Sequence, residues 1–223
     1  GEEGYVGLRR GILQGQYNSW SQGSSCMKVA ASDNIVVFRA SEVAFLRAEG
    51  ALRGWNMGGS PKDLYEAGIR LSFEENNISS GVESYLANTG KVEGYKDPLK
   101  GQSGQTYDYS GSINTAVTVA WAGGDFEKSL EQIITQKWIA NFPNGMESWS
   151  EYRRTGYPKL MPMAANASSG IVDDTEGARR MPYPTDEYRE NKESVEAAVL
   201  TLTQESKTKK GDSMATHVWW DCK

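Results

Sequence analysis

The sequence has few of the residues on which metal sites and acid–base catalysis usually depend. Its 223 residues include two cysteines, Cys26 and Cys222, and one histidine, His217. No Cys-x-x-Cys pair or zinc-ligand spacing occurs, which excludes a disulfide framework. The two cysteines could form one disulfide or stay as free thiols, and both alternatives remain open. A mechanism that needs an imidazole has a single candidate near the C-terminus, which argues against most hydrolases.

Long apolar runs and an excess of basic residues are also lacking. No run approaches the ~18 apolar residues that a membrane-spanning helix needs. The 24 Lys and Arg residues are outnumbered by 29 Asp and Glu residues, and the net charge of −5 argues against a nucleic-acid partner. Hydrophobic residues make up 38% of the chain and charged residues 24%, as in ordinary globular proteins. The sequence therefore predicts a globular chain without a membrane span.

Residues 37–76 carry the clearest helical pattern in the chain. Gly54 ends a first amphipathic helix, and Ser60 and Pro61 supply an N-cap and a first-turn proline for a second helix that continues past Ile69. Because the connection is short, we expect two antiparallel helices. The apolar stripe of the first helix consists of Phe38, Val43, Phe45, Leu46, Ala48, Ala51, Leu52 and Trp55.

A second helix pair is predicted over residues 125–157. Asp125 can cap its first helix, and Pro143 separates that helix from a second one through Trp149 and Tyr152. Trp138 shares a helical stripe with Ile134 and Phe142, so we expect its ring to pack in the core.

The other segments are less regular. Residues 1–36 are loop-rich and contain scattered aromatics, residues 77–124 form a long excursion with one short helix, and residues 158–223 include a helix from Pro184 to about Leu202. The apolar run Val218–Trp220 is expected to be buried. We predict a single domain over residues 1–223 that is mainly α, with tetratricopeptide-like antiparallel helix pairs, long irregular loops and little β structure.

Two helix pairs are fewer than the roughly three units that a stable repeat stack needs. Either the long loops close the core, or part of the stack lies upstream of this sequence. Both alternatives fit the pattern.

Four ordered segments between residues 39 and 221 carry more specific motifs. The first helix pair contains Arg39–Gly50 and Leu64–Ile69, and the second contains Ile133–Ala140 and Trp149–Pro158. The third segment is Arg179–Pro184 with Glu187 and Asn191, and the fourth is Val218–Asp221. In this order the motifs resemble those of the SusD/RagB family of outer-membrane nutrient-binding lipoproteins of Bacteroidetes. Gly50 replaces the alanine that is usual at this position. The glycine weakens the helix slightly and does not affect function.

The resemblance implies the function of the chain. Members of the family capture glycans or oligosaccharides at the cell surface and deliver them to a SusC-type TonB-dependent transporter, without catalysis or a cofactor. The chain would be the C-terminal portion of such a protein, without the signal peptide, the lipid-anchored cysteine and the first helical repeats. Contact with the outer membrane would be made only through that lipid anchor. A helical-repeat scaffold that holds a protein partner and binds no glycan is the alternative function.

Aromatic residues in irregular segments are the candidates for glycan binding, because a flat apolar ring suits the C–H face of a sugar. We predict a platform of Tyr17 and Trp20 supported by Tyr5, with Gln16 and Asn18 as hydrogen-bonding neighbours for sugar hydroxyls. Trp20 could instead anchor its loop on the helices. Further aromatic residues of the same kind, which could bind sugar or pin their loops, are Tyr95, Tyr107 and Tyr109.

The charged residues have structural interpretations that we prefer to functional ones. Glu42 and Glu49, seven residues apart, are typical of an ion-paired helix face, whereas glycoside hydrolysis would need a cleft and a raised carboxyl pKa. Arg153 and Arg154 lie at a helix end, where cations interact well with the helix dipole and with acidic side chains. Four aspartates lack the alternating spacing of a calcium loop, namely Asp97, Asp125, Asp173 and Asp174.

Overall fold

The structure of the protein, a computed structural model, describes residues 7–12, 25, 27–91, 94–97, 107–109 and 117–221. These residues contain seven α-helices and, in place of a sheet, one isolated antiparallel bridge between Tyr95 and Tyr109. The predicted mainly α class with tetratricopeptide-like helix pairs is confirmed. None of the helices in the described ranges is both long and apolar enough to cross a membrane.

The helices follow the order predicted from the sequence. The first pair is α1 (Ala40–Leu52) and α2 (Pro61–Glu75), and a short α3 (Val82–Leu86) follows. The second pair is α4 (Phe126–Ala140) and α5 (Gly145–Thr155). The predicted C-terminal helix is interrupted at Asn191, which gives α6 (Thr185–Glu190) and α7 (Lys192–Glu205).

The chain divides into two compact units, each built from separate segments. The helix-pair unit comprises Val29–Glu93 and Ser112–Lys159 and contains α1 to α5. The C-terminal unit comprises Gly1–Lys28, Gly94–Gly111 and Leu160–Lys223 and contains α6 and α7. The single-domain organisation stays a prediction.

Capping residues fix helix ends in the helix-pair unit, and the caps at the starts of α2 and α4 are the predicted ones. The Ser60 hydroxyl accepts a hydrogen bond from the Asp63 amide at 3.1 Å, and Pro61 occupies the first turn of α2. Asp125 accepts from the amide of Glu127 at 2.8 Å at the start of α4. Gly156 ends α5 with φ of 74°, a left-handed conformation that glycine adopts without steric cost.

The antiparallel arrangement of α1 and α2 is visible in one contact between their opposite ends. The amide and hydroxyl of Ser41, at the start of α1, donate to the carboxylate of Glu75, at the end of α2, at 2.9 and 2.6 Å. Farther along, Phe45 packs on Gly68, where an added Cβ would lie 2.7 Å from the ring. The buried core around this contact consists of Phe45, Ala48, Leu64, Tyr65, Ile69, Ile133 and Ala140.

The expectation that Trp138 packs in the core is wrong. Its side chain is 40% exposed, and its stripe neighbour Phe142 is also exposed. This helix instead buries Gln132, Gln136 and Lys137, and each of the three has a hydrogen-bond partner inside the unit. Because successive helical residues lie about 100° apart, burial of Lys137 turns Trp138 toward solvent.

Two other apolar segments are more exposed than predicted. On α1 the stripe divides: Phe45 and Ala48 are buried, whereas Val43 and Leu46 face outward. In the C-terminal unit Trp219 is 92% exposed, so the expected burial of Val218–Trp220 is wrong for its central residue. Buried contacts in this stretch are made instead by the polar residues His217 and Asp221.

Candidate functional site

The residues predicted for the glycan platform are Tyr5, Gln16, Tyr17, Asn18 and Trp20. All five lie outside the described residues. The platform therefore stays a prediction, and so does the state of Cys26 and Cys222.

The further aromatic candidates Tyr95, Tyr107 and Tyr109 are each anchored in the C-terminal unit. Tyr107 is buried against Leu8, Ile12 and Ala164. The Tyr95 hydroxyl donates to the carbonyl of Gly7 at 2.9 Å, and the guanidinium of Arg9 lies 5.1 Å from the centre of the Tyr109 ring. These contacts agree with a role in pinning the loop.

A buried ion-pair network joins α1, α4 and α5 in the helix-pair unit. The Lys137 side chain is only 1% exposed, and its Nζ lies 3.0 Å from Glu151, 3.1 Å from Glu147 and 3.5 Å from Glu42. Burial alone would lower the pKa of Lys137, but the charges and hydrogen bonds of Glu151 and Glu147 raise it above its usual value. Lys137 is therefore a structural cation and contributes no free charge to a ligand.

The network continues through Glu151 to the far end of α1. Arg154 donates to both oxygens of Glu49, at 2.7 and 2.6 Å, and to Glu151 at 2.6 Å. Arg53 donates to Glu49 at 2.8 Å. The interpretation of Glu42 and Glu49 as members of an ion-paired helix face is confirmed, as is the structural role of Arg154.

The pKa values of the two carboxyl groups of α1 are shifted in opposite directions. Burial would raise the pKa of Glu49, but Arg154 and Arg53 lower it below the usual range. Burial also raises the pKa of Glu42, and the charge of Lys137 does not offset this shift. A raised carboxyl pKa suits a general acid, yet the Glu42 side chain is enclosed in the network, where no substrate reaches it.

The four aspartates considered for calcium have separate structural roles. Asp125 caps α4, Asp97 accepts from the Tyr107 amide at 3.1 Å, and Asp173 accepts from the amides of Thr175 and Glu176 at 2.8 and 2.9 Å. Asp174 accepts from the Asn166 amide group at 2.6 Å. Across the described part of the chain, no cluster of three or more His, Cys, Asp or Glu residues could hold a metal ion.

A cleft of about 350 Å³ opens beside α4 in the helix-pair unit. One wall is formed by α4, a second by α3 and the segment after it, and a third by residues 117–119. Its lining residues are Tyr85, Asn88, Gly90, Lys91, Val117, Thr118, Val119, Gln132, Thr135, Gln136 and Ile139. This volume lies at the lower end of the range of small-molecule sites.

Two glutamines hold the walls of this cleft together. Gln132 donates to the carbonyls of Thr118 and Ala120, both at 2.8 Å, and accepts from the Ala122 amide at 3.2 Å. Gln136 accepts from the Tyr85 hydroxyl at 2.9 Å. Burial raises the pKa of Tyr85, so this hydroxyl stays protonated and donates at neutral pH.

Two polar groups at the cleft have no hydrogen-bond partner among the described residues. One is the amide nitrogen of Gln136, whose side chain is 6% exposed, and the other is the buried hydroxyl of Thr135. The apolar stripe predicted for this helix did not indicate that Gln132, Thr135 and Gln136 line one cleft. Their spacing with Ile139, at positions i, i+3, i+4 and i+7 of one helix, was the signal that could have revealed a polar face.

Comparisons with known proteins give one consistent result. The model of the SusD-like family, described as Susd and RagB outer membrane lipoprotein, matches residues 1–221. A SusD homologue from Bacteroides ovatus is 89% identical over 100% of the chain with a TM-score of 0.92, and one from Bacteroides uniformis is 48% identical over 98% with a TM-score of 0.86. A chitin-binding SusD homologue from Flavobacterium johnsoniae is 44% identical over 82% with a TM-score of 0.70.

The chain spans less than half the length of these structures. It covers 45% of the B. ovatus protein, 43% of the B. uniformis protein and 36% of the F. johnsoniae protein. No curated protein is significantly similar to the chain.

Proposed function

Because the chain belongs to the SusD-like family of outer-membrane lipoproteins, we propose that it takes part in binding glycans at the cell surface for nutrient uptake. The observation that carries this proposal is the 44% identity to the chitin-binding homologue over 82% of the chain. Chitin is an uncharged polysaccharide, and the proposed ligand of this chain is likewise a neutral glycan.

The proposal includes the step after capture. The full-length protein hands the bound oligosaccharide to a SusC-type TonB-dependent transporter and is held at the outer membrane by a lipid anchor. Family membership supports both statements, since the matching family model is one of outer-membrane lipoproteins.

Binding without catalysis is the activity that we propose. Buried carboxylates such as Glu49 and Glu151 are engaged by Arg154, and a glycosidase needs two carboxyl groups on either side of an open substrate site. Release of reducing sugar from polysaccharides by the purified protein would contradict this part of the proposal.

We place the glycan on the aromatic platform predicted from the sequence. Tyr17 and Trp20 would stack on sugar rings, Tyr5 would support them, and Gln16 and Asn18 would exchange hydrogen bonds with sugar hydroxyls. Neutral amides are suited to a ligand without charge.

Affinity gel electrophoresis with soluble neutral polysaccharides, glycol chitin among them, tests the proposal. We expect at least one polysaccharide to retard the wild-type protein, and Trp20→Ala to abolish the retardation without changing the melting temperature. Trp219→Ala is the matched control, because this tryptophan is 92% exposed and lies outside the predicted platform.

Two results would count against the proposal in different ways. A lowered melting temperature with unchanged retardation for Trp20→Ala would show that Trp20 anchors its loop, and the platform would be wrong. If no polysaccharide retards the wild-type protein, the scaffold alternative is favoured. The outward-facing Val43 and Leu46 on α1 would then be the first residues to test for contact with a protein partner.

A further inference from the structure

We propose that the cleft beside α4 is a second binding site, one that takes a neutral sugar of one or two rings. It is built from different residues than the platform around Trp20, and it does not depend on the proposed function. Its volume, its unpaired polar groups and its charge each support this ligand class.

The volume limits the size of the ligand. At about 350 Å³ the cleft is near the smallest sites that enclose small molecules. It is large enough for a monosaccharide or a disaccharide and too small for a folded peptide. Apolar surface is available for the C–H face of a sugar ring, from Val117 and Val119 on one wall and Ile139 on another.

Gln136 supplies the specific polar contact. Its carbonyl oxygen is occupied by the Tyr85 hydroxyl, which fixes the orientation of the side chain. Gln136 is only 6% exposed. Its amide nitrogen carries two N–H donors and has no partner among the described residues. This nitrogen keeps some exposure to solvent, so a sugar hydroxyl that enters the cleft could reach it and accept its hydrogen bond.

The charge of the lining favours a neutral ligand. Among the described residues that line the cleft there is no carboxylate, so these residues offer a cationic ligand no counter-charge. Lys91 is the one charged residue in this described part of the lining, and it is exposed. A single exposed cation adds little affinity for an anion.

The competing interpretation is that the cleft is a packing defect filled by solvent. In that case the unpaired amide of Gln136 is simply tolerated, and sugars would not change the environment of α4.

Titration of the ¹⁵N-labelled protein with small sugars, followed by NMR, distinguishes the two. The probes are glucose, galactose, mannose, N-acetylglucosamine, N,N′-diacetylchitobiose and glucuronate. We expect at least one of the neutral sugars to cause saturable shifts of the Thr135, Gln136 and Ile139 amides, with a dissociation constant on the order of 1 mM, typical of a small polar ligand.

Two variants and one control make the test specific. Gln136→Glu keeps the acceptor for Tyr85 and removes the amide donors, and Ile139→Ala removes an apolar wall; each is expected to weaken sugar binding at least about fivefold. The control is Ile78→Ala, since Ile78 is 50% exposed and Ile139 46%, but Ile78 does not line the cleft. It should bind like the wild type.

Three results would overturn the proposal. The first is the absence of saturable shifts at the cleft with every neutral sugar, and the second is binding of glucuronate alone. The third is equal weakening by Ile139→Ala and Ile78→Ala. None of them bears on retardation by polysaccharides, so failure of the cleft site and failure of the platform are separate outcomes.

Discussion

The Nζ of Lys137 lies 3.0 Å from Oε1 of Glu151, in a place where the lysine side chain is only 1% exposed. A cation at this depth requires anionic partners, because removing an ammonium group from water is costly. Glu42 from α1 and Glu147 from α5 complete its environment. Through its contact with Glu42, Lys137 links the second helix pair to the first at a buried position where an apolar residue would be expected.

Lys137→Met should destabilise the protein strongly. The substitution fills a similar volume but leaves Glu42 and Glu147 without their cation and Glu151 with Arg154 alone, and breaking a buried pair from one side costs about 3–5 kcal/mol. Urea denaturation measures the change. Lys62→Met is the control, because its exposed pair with Glu66, at 3.6 Å, should be worth less than about 1 kcal/mol. Equal effects of the two substitutions would contradict the buried role of Lys137.

The stability contributions of Glu49 and Glu42 should depend on pH with opposite signs. The pKa of Glu49 is lowered from 4.5, so its stabilisation is present above that pH and is lost as the pH falls through its lowered value. The pKa of Glu42 is raised from 4.5, so its ionisation destabilises the fold as the pH rises.

Comparing the unfolding free energies of Glu49→Gln and Glu42→Gln with the wild type, between about pH 3 and pH 7, tests this. We expect the penalty of Glu49→Gln to grow toward neutral pH and that of Glu42→Gln to shrink. Parallel pH profiles for the two variants would show that the carboxyl groups share one environment.

Local signals explain why the helices were predictable. Helix ends are fixed at Ser60, Asp125 and Gly156 by contacts with residues close to them in sequence. Local sequence is therefore enough to determine where these helices begin and end. The sequence also predicted that Glu42 and Glu49 form ion pairs. Their partners Lys137 and Arg154 were not, since they come from helices about a hundred residues away.

The burial of α4 could not be derived from its own pattern. An apolar stripe through Trp138 and Phe142 suggested a core face, but the partners of Lys137 and Gln136 on α1, α3 and α5 decide which face is buried. The cleft was likewise hidden, because its walls come from three segments between residues 85 and 139.

The corrected position of Trp138 leads to an ordering of two substitutions. Phe45, which is 1% exposed, is enclosed between α1 and α2, and Phe45→Ala should cost about 3–5 kcal/mol. Trp138→Ala should cost no more than about 2 kcal/mol, because 40% of the side chain is already in water. Chemical denaturation of both variants gives the order, and a larger loss for Trp138 would restore it to the core.

The unpaired hydroxyl of Thr135 leads to the last prediction, which contrasts it with Thr155. Both residues lie in helices of the helix-pair unit. The Thr155 hydroxyl donates to the Glu151 carbonyl at 2.7 Å and accepts from the Tyr157 amide at 3.2 Å, whereas the buried hydroxyl of Thr135 has no partner among the described residues.

Replacing each threonine by valine exchanges the hydroxyl for a methyl group of similar size. Thr155→Val leaves the Tyr157 amide without its acceptor and should cost about 1–3 kcal/mol. Thr135→Val removes a buried polar group that gains nothing in return, so the free energy of unfolding should rise by about 1 kcal/mol. Because helix propensities of Thr and Val are similar, the difference between the variants reports the hydrogen bonds. A loss of stability for Thr135→Val in urea denaturation would mean that its hydroxyl is bonded in solution.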